Sequence, residues 1–170
     1  MIISANRITR LGILISMALS LHVLEAYIPV PLAFPGVKLG LANIVTIFGI
    51  VFLGLKDTMI IITTRCFLGS VFASNLMGFF FSITGGILSG LIMYYLYTRA
   101  SNLFSLQVIS IIGGVSHNAG QLLAASLILE NFRVFYYMPV LIISGVIMGL
   151  FIGTVSLASF RVLGGLKIVT

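Results

Sequence analysis

The chain has 170 residues, of which 60% are hydrophobic and only 7% charged, and its mean hydropathy is +1.26. A soluble globular domain carries about 25% charged residues, so the composition excludes that class and indicates an integral membrane protein. The net charge of +6 does not point to nucleic-acid binding, because the nine basic residues are scattered singly along the chain.

Six apolar segments follow one another, each long enough to cross about 30 Å of hydrocarbon as a helix of roughly 20 residues. They are predicted over residues 9–28, 38–55, 58–76, 78–98, 106–129 and 135–157. Alternate connections carry the basic residues Arg7, Arg10, Lys56, Arg99, Arg161 and Lys167. By the positive-inside rule both termini are then cytoplasmic. We expect one all-α domain over residues 1–170, a six-transmembrane-helix bundle with N-in/C-in topology, in the bacterial cytoplasmic membrane.

Three of the four prolines, Pro29, Pro31 and Pro35, fall between the first and second segments. Proline lacks a backbone N–H and breaks a helix interior, so residues 29–37 are predicted to form a shaped extracellular loop that re-enters the bilayer. This loop leads Lys38 and Asn43 into the second segment. Taken alone, Lys38 is expected to reach the lipid headgroups.

Arg65 lies near the middle of the third segment, where a permanently charged guanidinium needs an anion, carbonyl groups or water. The three acidic residues, Glu25, Asp57 and Glu130, all lie near segment ends. No carboxylate is therefore expected at the depth of Arg65. This pattern favours an external anionic group over a purely structural role at a helix break.

The fifth segment contributes His117, Asn118 and Gln121, whose spacing of three and four residues predicts one shared helix face. They are interpreted as a ligand site, although an interhelical hydrogen-bond cluster is the alternative. With Lys38 at the mouth and Arg65 at the floor, they would complete an electropositive pocket open to the outside.

Near the outer end of the first segment, His22 and Glu25 share a face and could contact the loop or a substrate. The histidine spacing is not that of a helical zinc motif, and the single cysteine, Cys66, excludes a cysteine-based metal cluster, so no metal site is expected.

Small residues recur at every fourth position in three segments, as Gly145, Gly149 and Gly153, as Gly86 and Gly90, and as Gly12, Ser16 and Ser20. Such patterns allow helix backbones to approach closely in lipid. They fit contact within the chain and docking to another subunit equally well.

Several motifs together resemble one family. They are residues 35–43 (Pro-Gly-Val-Lys-Leu-Gly-Leu-Ala-Asn), Thr64-Arg65 with Gly69, Gly85-Gly86 with Ser89-Gly90, and residues 116–121 (Ser-His-Asn-Ala-Gly-Gln). In order and spacing they resemble the Gx transporter family, often labelled heptaprenyl diphosphate synthase component I. That family is similar to the substrate-binding S components of energy-coupling-factor (ECF) transporters. The resemblance implies that residues 29–37 form a lid and that Gly12, Ser16 and Ser20 dock to a membrane coupling subunit driven by cytoplasmic ATPases.

The residues argue against catalysis. Prenyl diphosphate elongation needs aspartate-rich motifs that hold magnesium, whereas this chain has one aspartate, Asp57. No phosphate-binding G-x-x-x-x-G-K-[ST] loop is present. We therefore expect no enzymatic activity, no catalytic residue and no cofactor.

The predicted function is a substrate-binding subunit for uptake of a small anionic micronutrient or metabolite. The predicted substrate-binding residues are Lys38, Asn43, Arg65, His117, Asn118, Gln121 and Glu25. The alternative is a non-catalytic accessory membrane protein of polyprenyl diphosphate or quinone synthesis. A proton-coupled carrier using His117 is a third option, but no mid-membrane carboxylate relay accompanies this histidine.

Overall fold

The structure is a computed structural model that describes residues 5–26 and 40–162, and helices are the only regular secondary structure in these ranges. The helices are α1 (Ala5–Ala26), α2 (Asn43–Phe52), α3 (Leu55–Ala73), α4 (Leu76–Arg99), α5 (Leu106–Ile128) and α6 (Met138–Val162). A short 3₁₀ helix, Phe132–Tyr137, precedes α6. The all-helical character predicted from the apolar segments is confirmed for the described residues.

Local signals in the sequence fix several helix ends. Helix α3 ends at Ser74 in the left-handed conformation (φ 48°), and the next residue caps α4. The Asn75 Oδ1 accepts a 2.8 Å hydrogen bond from the Gly78 backbone N–H, which satisfies one of the open donors of the first turn. Ser105 has the corresponding position before α5. The connection between α3 and α4 is therefore very short, and the two helices run antiparallel.

Helix α2 is much shorter than the predicted segment 38–55. It spans 10 residues, or about 15 Å at 1.5 Å per residue, which is half of the hydrocarbon thickness. Gly40 has φ +86°, a left-handed backbone that a helix excludes, and its carbonyl accepts from the Asn43 N–H in a turn. Gly54, with φ +80°, separates α2 from α3. The predicted lid, residues 29–37, and Lys38 lie outside the described residues.

Glycines set the packing of the last three helices. A Cβ on Gly114 of α5 would lie 2.5 Å from the Gly145 carbonyl oxygen of α6, and one on Gly149 would lie 2.5 Å from the Ile111 Cα. Gly153 approaches Gln107 in the same way. The α6 glycines therefore form the contact with α5 within the chain. Helix α5 packs most extensively against α6 and α4 and so lies at the centre of the bundle.

Helix α1 lies at the edge of the bundle, parallel to α3. Ala18 packs with Val45 and Ile61 in a small apolar cluster. At the start of the two helices, the Arg7 Nε donates a 3.0 Å hydrogen bond to the Asp57 Oδ2, and the Arg7 Nη2 donates to the second carboxylate oxygen. This ion pair places the N-terminal ends of α1 and α3 at the same end of the molecule.

Four stretches of the described residues are long and apolar enough to cross a membrane: Asn6–Glu25, Leu76–Arg99, Leu106–Ile128 and Phe132–Val162. Helix α2 is apolar but short, and α3 contains Lys56, Asp57 and Arg65, which lower its average hydropathy. Many large apolar side chains on the outside of the bundle are exposed, as expected for contact with lipid. The protein is a membrane protein, whereas six crossings and cytoplasmic termini stay predictions.

Candidate functional site

Buried polar side chains from five helices lie inside the bundle, and we call this set the polar layer. It consists of Glu25, Asn43, Thr46, Arg65, Ser82, Ser89, His117 and Gln121. A buried polar group costs free energy unless it is hydrogen bonded, and a buried charge costs more. The layer is therefore the first place to look for a binding site.

Arg65 supplies the permanent charge of the polar layer. Its side chain is 2% exposed, and its Nη2 donates to the Asn43 Oδ1 across 3.4 Å, longer than an ordinary N–H···O bond. Its Nε is buried and has no hydrogen-bond partner in the described part of the chain. Among the described residues no carboxylate forms an ion pair with Arg65. Within the described residues the guanidinium is thus desolvated and is in direct hydrogen-bond contact with a neutral amide alone.

Two adjacent glycines of α4 bring α3 and α5 to the same turn. A Cβ on Gly86 would lie 3.5 Å from the Arg65 Nη2, and one on Gly85 would lie 3.0 Å from the Gln121 Cγ and 3.2 Å from the His117 Cε1. Because the two glycines are neighbours, the guanidinium on one side and the imidazole and amide on the other flank one turn of α4. A side chain at Gly85 would collide with the His117 carbonyl oxygen, and one at Gly86 would collide with Ile62 and lie in contact with Arg65.

Gly40 connects Glu25 with Asn43 and His117. Its N–H donates to a Glu25 carboxylate oxygen, which connects the end of α1 to the start of α2. A Cβ on Gly40 would lie 3.1 Å from the Asn43 Nδ2 and 3.6 Å from the His117 Cδ2. Gly40, three residues before the start of α2, is therefore buried among side chains of α1, α2 and α5.

Gln121 is the most completely buried amide of the layer. It has no exposed surface, and across residues 5–26 and 40–162 neither its Nε2 nor its Oε1 has a hydrogen-bond partner. The Ser82 Oγ, the Thr46 Oγ1 and the Asn43 Nδ2 are likewise buried without a partner. Since buried polar atoms in proteins are nearly always hydrogen bonded, this concentration of open donors and acceptors needs an explanation.

The structure brings together five of the predicted site residues, Glu25, Asn43, Arg65, His117 and Gln121, and places Asn118 elsewhere. The Asn118 Nδ2 donates a 2.8 Å hydrogen bond to the Leu141 carbonyl of α6. Asn118 therefore contacts α6, whereas His117 and Gln121 lie beside Gly85 of α4, and a shared role of the three in binding stays a prediction. Consecutive helical residues are about 100° apart, so Gln121 lies angularly between the other two, and Asn118 turns toward α6 while His117 turns toward α4.

Ser82 and Thr46 were not foreseen from the sequence. A signal for Ser82 exists, because it precedes Gly85 by three residues and Gly86 by four and so shares their face of α4. No comparable signal marks Thr46. Among the described residues no group of three histidine, cysteine, aspartate or glutamate side chains could hold a metal ion, and the absence of a metal stays a prediction.

The small-residue stripe of α1 is not covered by any other part of the chain that the structure describes. Gly12, Ser16 and Ser20 are exposed, and a Cβ on Gly12 would meet nothing within 4 Å. The Ser16 hydroxyl donates to the Gly12 carbonyl, and the Ser20 hydroxyl donates to the Ser16 carbonyl. Both hydroxyls are therefore hydrogen bonded within α1. This stripe contrasts with the α6 glycines, which α5 covers.

Comparison with known families adds a second line of evidence. A model of the family described as heptaprenyl diphosphate synthase component I matches residues 14–158. The chain belongs to this family. The matched range of the component I family contains every residue of the polar layer, and it confirms the resemblance seen in the sequence motifs. No curated protein and no solved structure matches the chain.

Proposed function

We propose that this member of the component I family is a membrane-embedded binding subunit for uptake of a small anionic solute. The observation that carries the proposal is Arg65, a charge that is 2% exposed and has, among the described residues, one long hydrogen bond, to Asn43. Leaving a charge buried and unpaired costs several kcal/mol, and an anion bound beside it would remove that cost.

The hydrogen-bonding groups near Arg65 support an anion as the ligand. The Arg65 Nε and the Asn43 Nδ2 are both open donors, and neither can accept a hydrogen bond. A carboxylate or phosphate offers several acceptor oxygens and forms stronger hydrogen bonds to a guanidinium than a neutral group does. On this proposal, Lys38 and residues 29–37 close the site from the outside, and Glu25 holds the entry to α2 through the Gly40 N–H.

The proposed energy source is another protein. The sequence has no G-x-x-x-x-G-K-[ST] loop that would bind ATP. Its one aspartate, Asp57, is paired with Arg7 at the end of α1 and α3, away from the polar layer. The proposed subunit is therefore non-catalytic and takes no cofactor. Its partners would be an ECF-type coupling subunit, which docks on the exposed α1 stripe, and cytoplasmic ATPases.

The family description favours a second candidate function. Heptaprenyl diphosphate synthase component I is the name of a synthase component, and it fits a non-catalytic accessory role in the membrane. On that candidate the polar layer would only join helices, and no small solute would be retained. The open hydrogen-bonding groups of Arg65 and Gln121 favour the binding subunit over this role.

The test is ligand capture. The protein is purified from cells grown in rich medium and denatured, and the released small molecules are identified by mass spectrometry. Arg65→Ala is compared with Arg133→Ala, which removes an exposed arginine of the 3₁₀ helix. A charged hydrogen bond contributes about 1.5–3 kcal/mol, so Arg65→Ala is expected to reduce retention of an anionic molecule by about tenfold or more. Arg133→Ala should retain it.

Two results would reject the binding subunit. One is a wild-type protein that releases no small molecule, or only isoprenoid lipid that both variants also release. The other is an anion retained equally by Arg65→Ala. Melting curves of the purified variants show whether each has folded, so a lost ligand is not confused with a lost fold.

A further inference from the structure

We propose that Gln121 and Ser82 bind the uncharged part of the ligand, and that this part presents one hydrogen-bond donor beside one acceptor, as a lactam or aminopyrimidine edge does. The inference rests on the proposed function and extends it from an anion to an anionic heterocycle. Arg65 and Asn43 would bind the anionic group, and Gln121 would bind the edge of the ring.

The Gln121 amide is complementary to a ligand edge that has one hydrogen-bond donor beside one acceptor. A carboxamide offers one N–H donor and one carbonyl acceptor side by side, and both are buried and open here. Glutamine pairs in this bidentate way with the donor and acceptor edge of adenine. An anionic oxygen alone would satisfy the Nε2 and leave the Oε1 without a donor. The ligand that satisfies both atoms therefore carries an N–H beside an acceptor.

Ser82 extends the same surface. It lies on the face of α4 that carries Gly85 and Gly86, one turn nearer the N-terminus of the helix, and its buried Oγ has no partner among the residues that the structure describes. Gly85 contacts Gln121 and Gly86 contacts Arg65. Ser82 therefore lies one helical turn from the two glycines that face the amide and the guanidinium, and its hydroxyl can donate to or accept from a second ring substituent.

Hydrogen bonding between helices does not account for the buried amide of Gln121. The neighbouring amide Asn118 has that role, because its Nδ2 donates to the Leu141 carbonyl of α6. Gln121 faces Gly85, and a glycine has no side chain that could pair with the amide. Helix packing alone would favour an apolar residue of the same size at this position.

The experiment uses Gln121→Met, which keeps the side-chain volume and removes both hydrogen-bonding atoms. The matched control is Gln107→Met, the same exchange on the same helix, where Gln107 packs against Gly153 outside the polar layer. Molecules released by the denatured wild-type protein are identified first. The amount retained per protein and the melting temperature are then measured for each variant.

The wild-type protein is expected to release an anion with a donor and acceptor edge. Two neutral hydrogen bonds contribute about 1 kcal/mol each, so Gln121→Met should reduce retention by about tenfold, and Gln107→Met should not. The melting temperature of empty Gln121→Met should equal or exceed that of the wild type, because an open amide has been removed. A structural glutamine would give the reverse pattern, a lower melting temperature with unchanged retention.

The outcomes separate the two proposals. A retained anion without such an edge, or wild-type retention by Gln121→Met, overturns this inference and leaves the binding subunit in place. No retained anion in the wild type overturns both. If Gln121→Met does not fold, Ser82→Ala decides the matter. It removes one hydroxyl with little change in volume and is expected to weaken retention about threefold or more, and unchanged retention would overturn the inference.

Discussion

The Arg65 Nη2 donates to the Asn43 Oδ1 across 3.4 Å, and this contact joins the middle of α3 to the first residue of α2. The α2 N-terminus carries the positive end of a helix dipole, so two positive features meet at Asn43. The neutral amide oxygen compensates the guanidinium only weakly. The guanidinium and the N-terminus of α2 can therefore both still attract a bound anion.

A carboxylate built into the protein at this position should compete with the ligand. Asn43→Asp keeps the shape of the side chain and places a charged oxygen where the Asn43 Oδ1 contacts Arg65. We expect the ligand-free variant to melt at a higher temperature than the wild type, because the new carboxylate forms an ion pair with Arg65. Its retention of the anionic molecule should be about tenfold lower than that of the wild type, or lower still. Melting curves and ligand capture measure the two effects.

Asn43→Leu serves as the control, because it removes the same hydrogen bonds without adding a charge. It should weaken retention without raising the melting temperature. If Asn43→Asp binds the anion as tightly as the wild type, Arg65 does not attract the ligand.

The glycine contact between α5 and α6 gives a prediction about stability. In Gly114→Ala the new Cβ would lie 2.5 Å from the Gly145 carbonyl oxygen, and backbone has to move to relieve the collision. Overpacking of this kind costs about 1–3 kcal/mol. Gly12→Ala is the control, since nothing lies within 4 Å of the new Cβ and alanine favours a helix by up to about 1 kcal/mol.

Thermal or detergent denaturation checks the pair. Gly114→Ala should unfold more easily than the wild type, and Gly12→Ala should match or exceed it. Equal stability of Gly114→Ala and the wild type would show that the two helices do not approach as closely as described.

The sequence predicted the existence of the helices better than their ends. Apolar runs bounded by charged or turn-forming residues were sufficient for α4 and α5, whose caps Asn75 and Ser105 stand just before them. The start of α2 could not be predicted in this way. It depends on the left-handed Gly40, which is held by the Glu25 carboxylate, a contact between residues far apart in sequence.

The candidate site, too, could be predicted from the sequence only in part. The residue types identified Arg65, His117 and Gln121 as polar groups within apolar segments, because their chemistry is unusual there. Spacing along one helix did not determine which neighbour each side chain faces, so it could not separate Asn118, which turns to α6, from Gln121. Facing directions depend on the arrangement of helices, and periodicity contains no information about it.

The ion pair between Arg7 and Asp57 depends on that arrangement too, since it requires α1 and α3 to be parallel neighbours. We expect Arg7→Asp and Asp57→Arg each to lower the melting temperature, because each places like charges together at the end of the helices. The exchanged double variant should recover most of the loss. Melting curves of the three variants measure this coupling.

Arg10→Asp controls for the change in net charge, because Arg10 is an exposed residue of the same helix. It should lower the melting temperature less than Arg7→Asp does. A double variant that is as unstable as the sum of the two single variants would show that the pair does not join α1 to α3.

A substitution in the exposed stripe of α1 should impair uptake of the solute without impairing its binding. If a coupling subunit docks there, Ser16→Leu should hold the two proteins apart, since a large side chain prevents close approach of helices in lipid. An inserted leucine at a close contact costs about 1–3 kcal/mol, so uptake of the captured solute and co-purification of the partner should fall about tenfold. Retention of the solute by the isolated protein should not change, because Ser16 is exposed and its hydroxyl donates only to the Gly12 carbonyl.

Thr154→Leu is the matched control. Thr154 is also exposed, lies on α6, and donates its hydroxyl to the Leu150 carbonyl four residues back, as Ser16 does on α1. It should leave uptake, co-purification and retention as in the wild type. Wild-type uptake by Ser16→Leu would place the docking surface away from α1. A loss of retention in Ser16→Leu would instead show that α1 shapes the binding site itself, because the exchange would then act through the fold of the isolated protein.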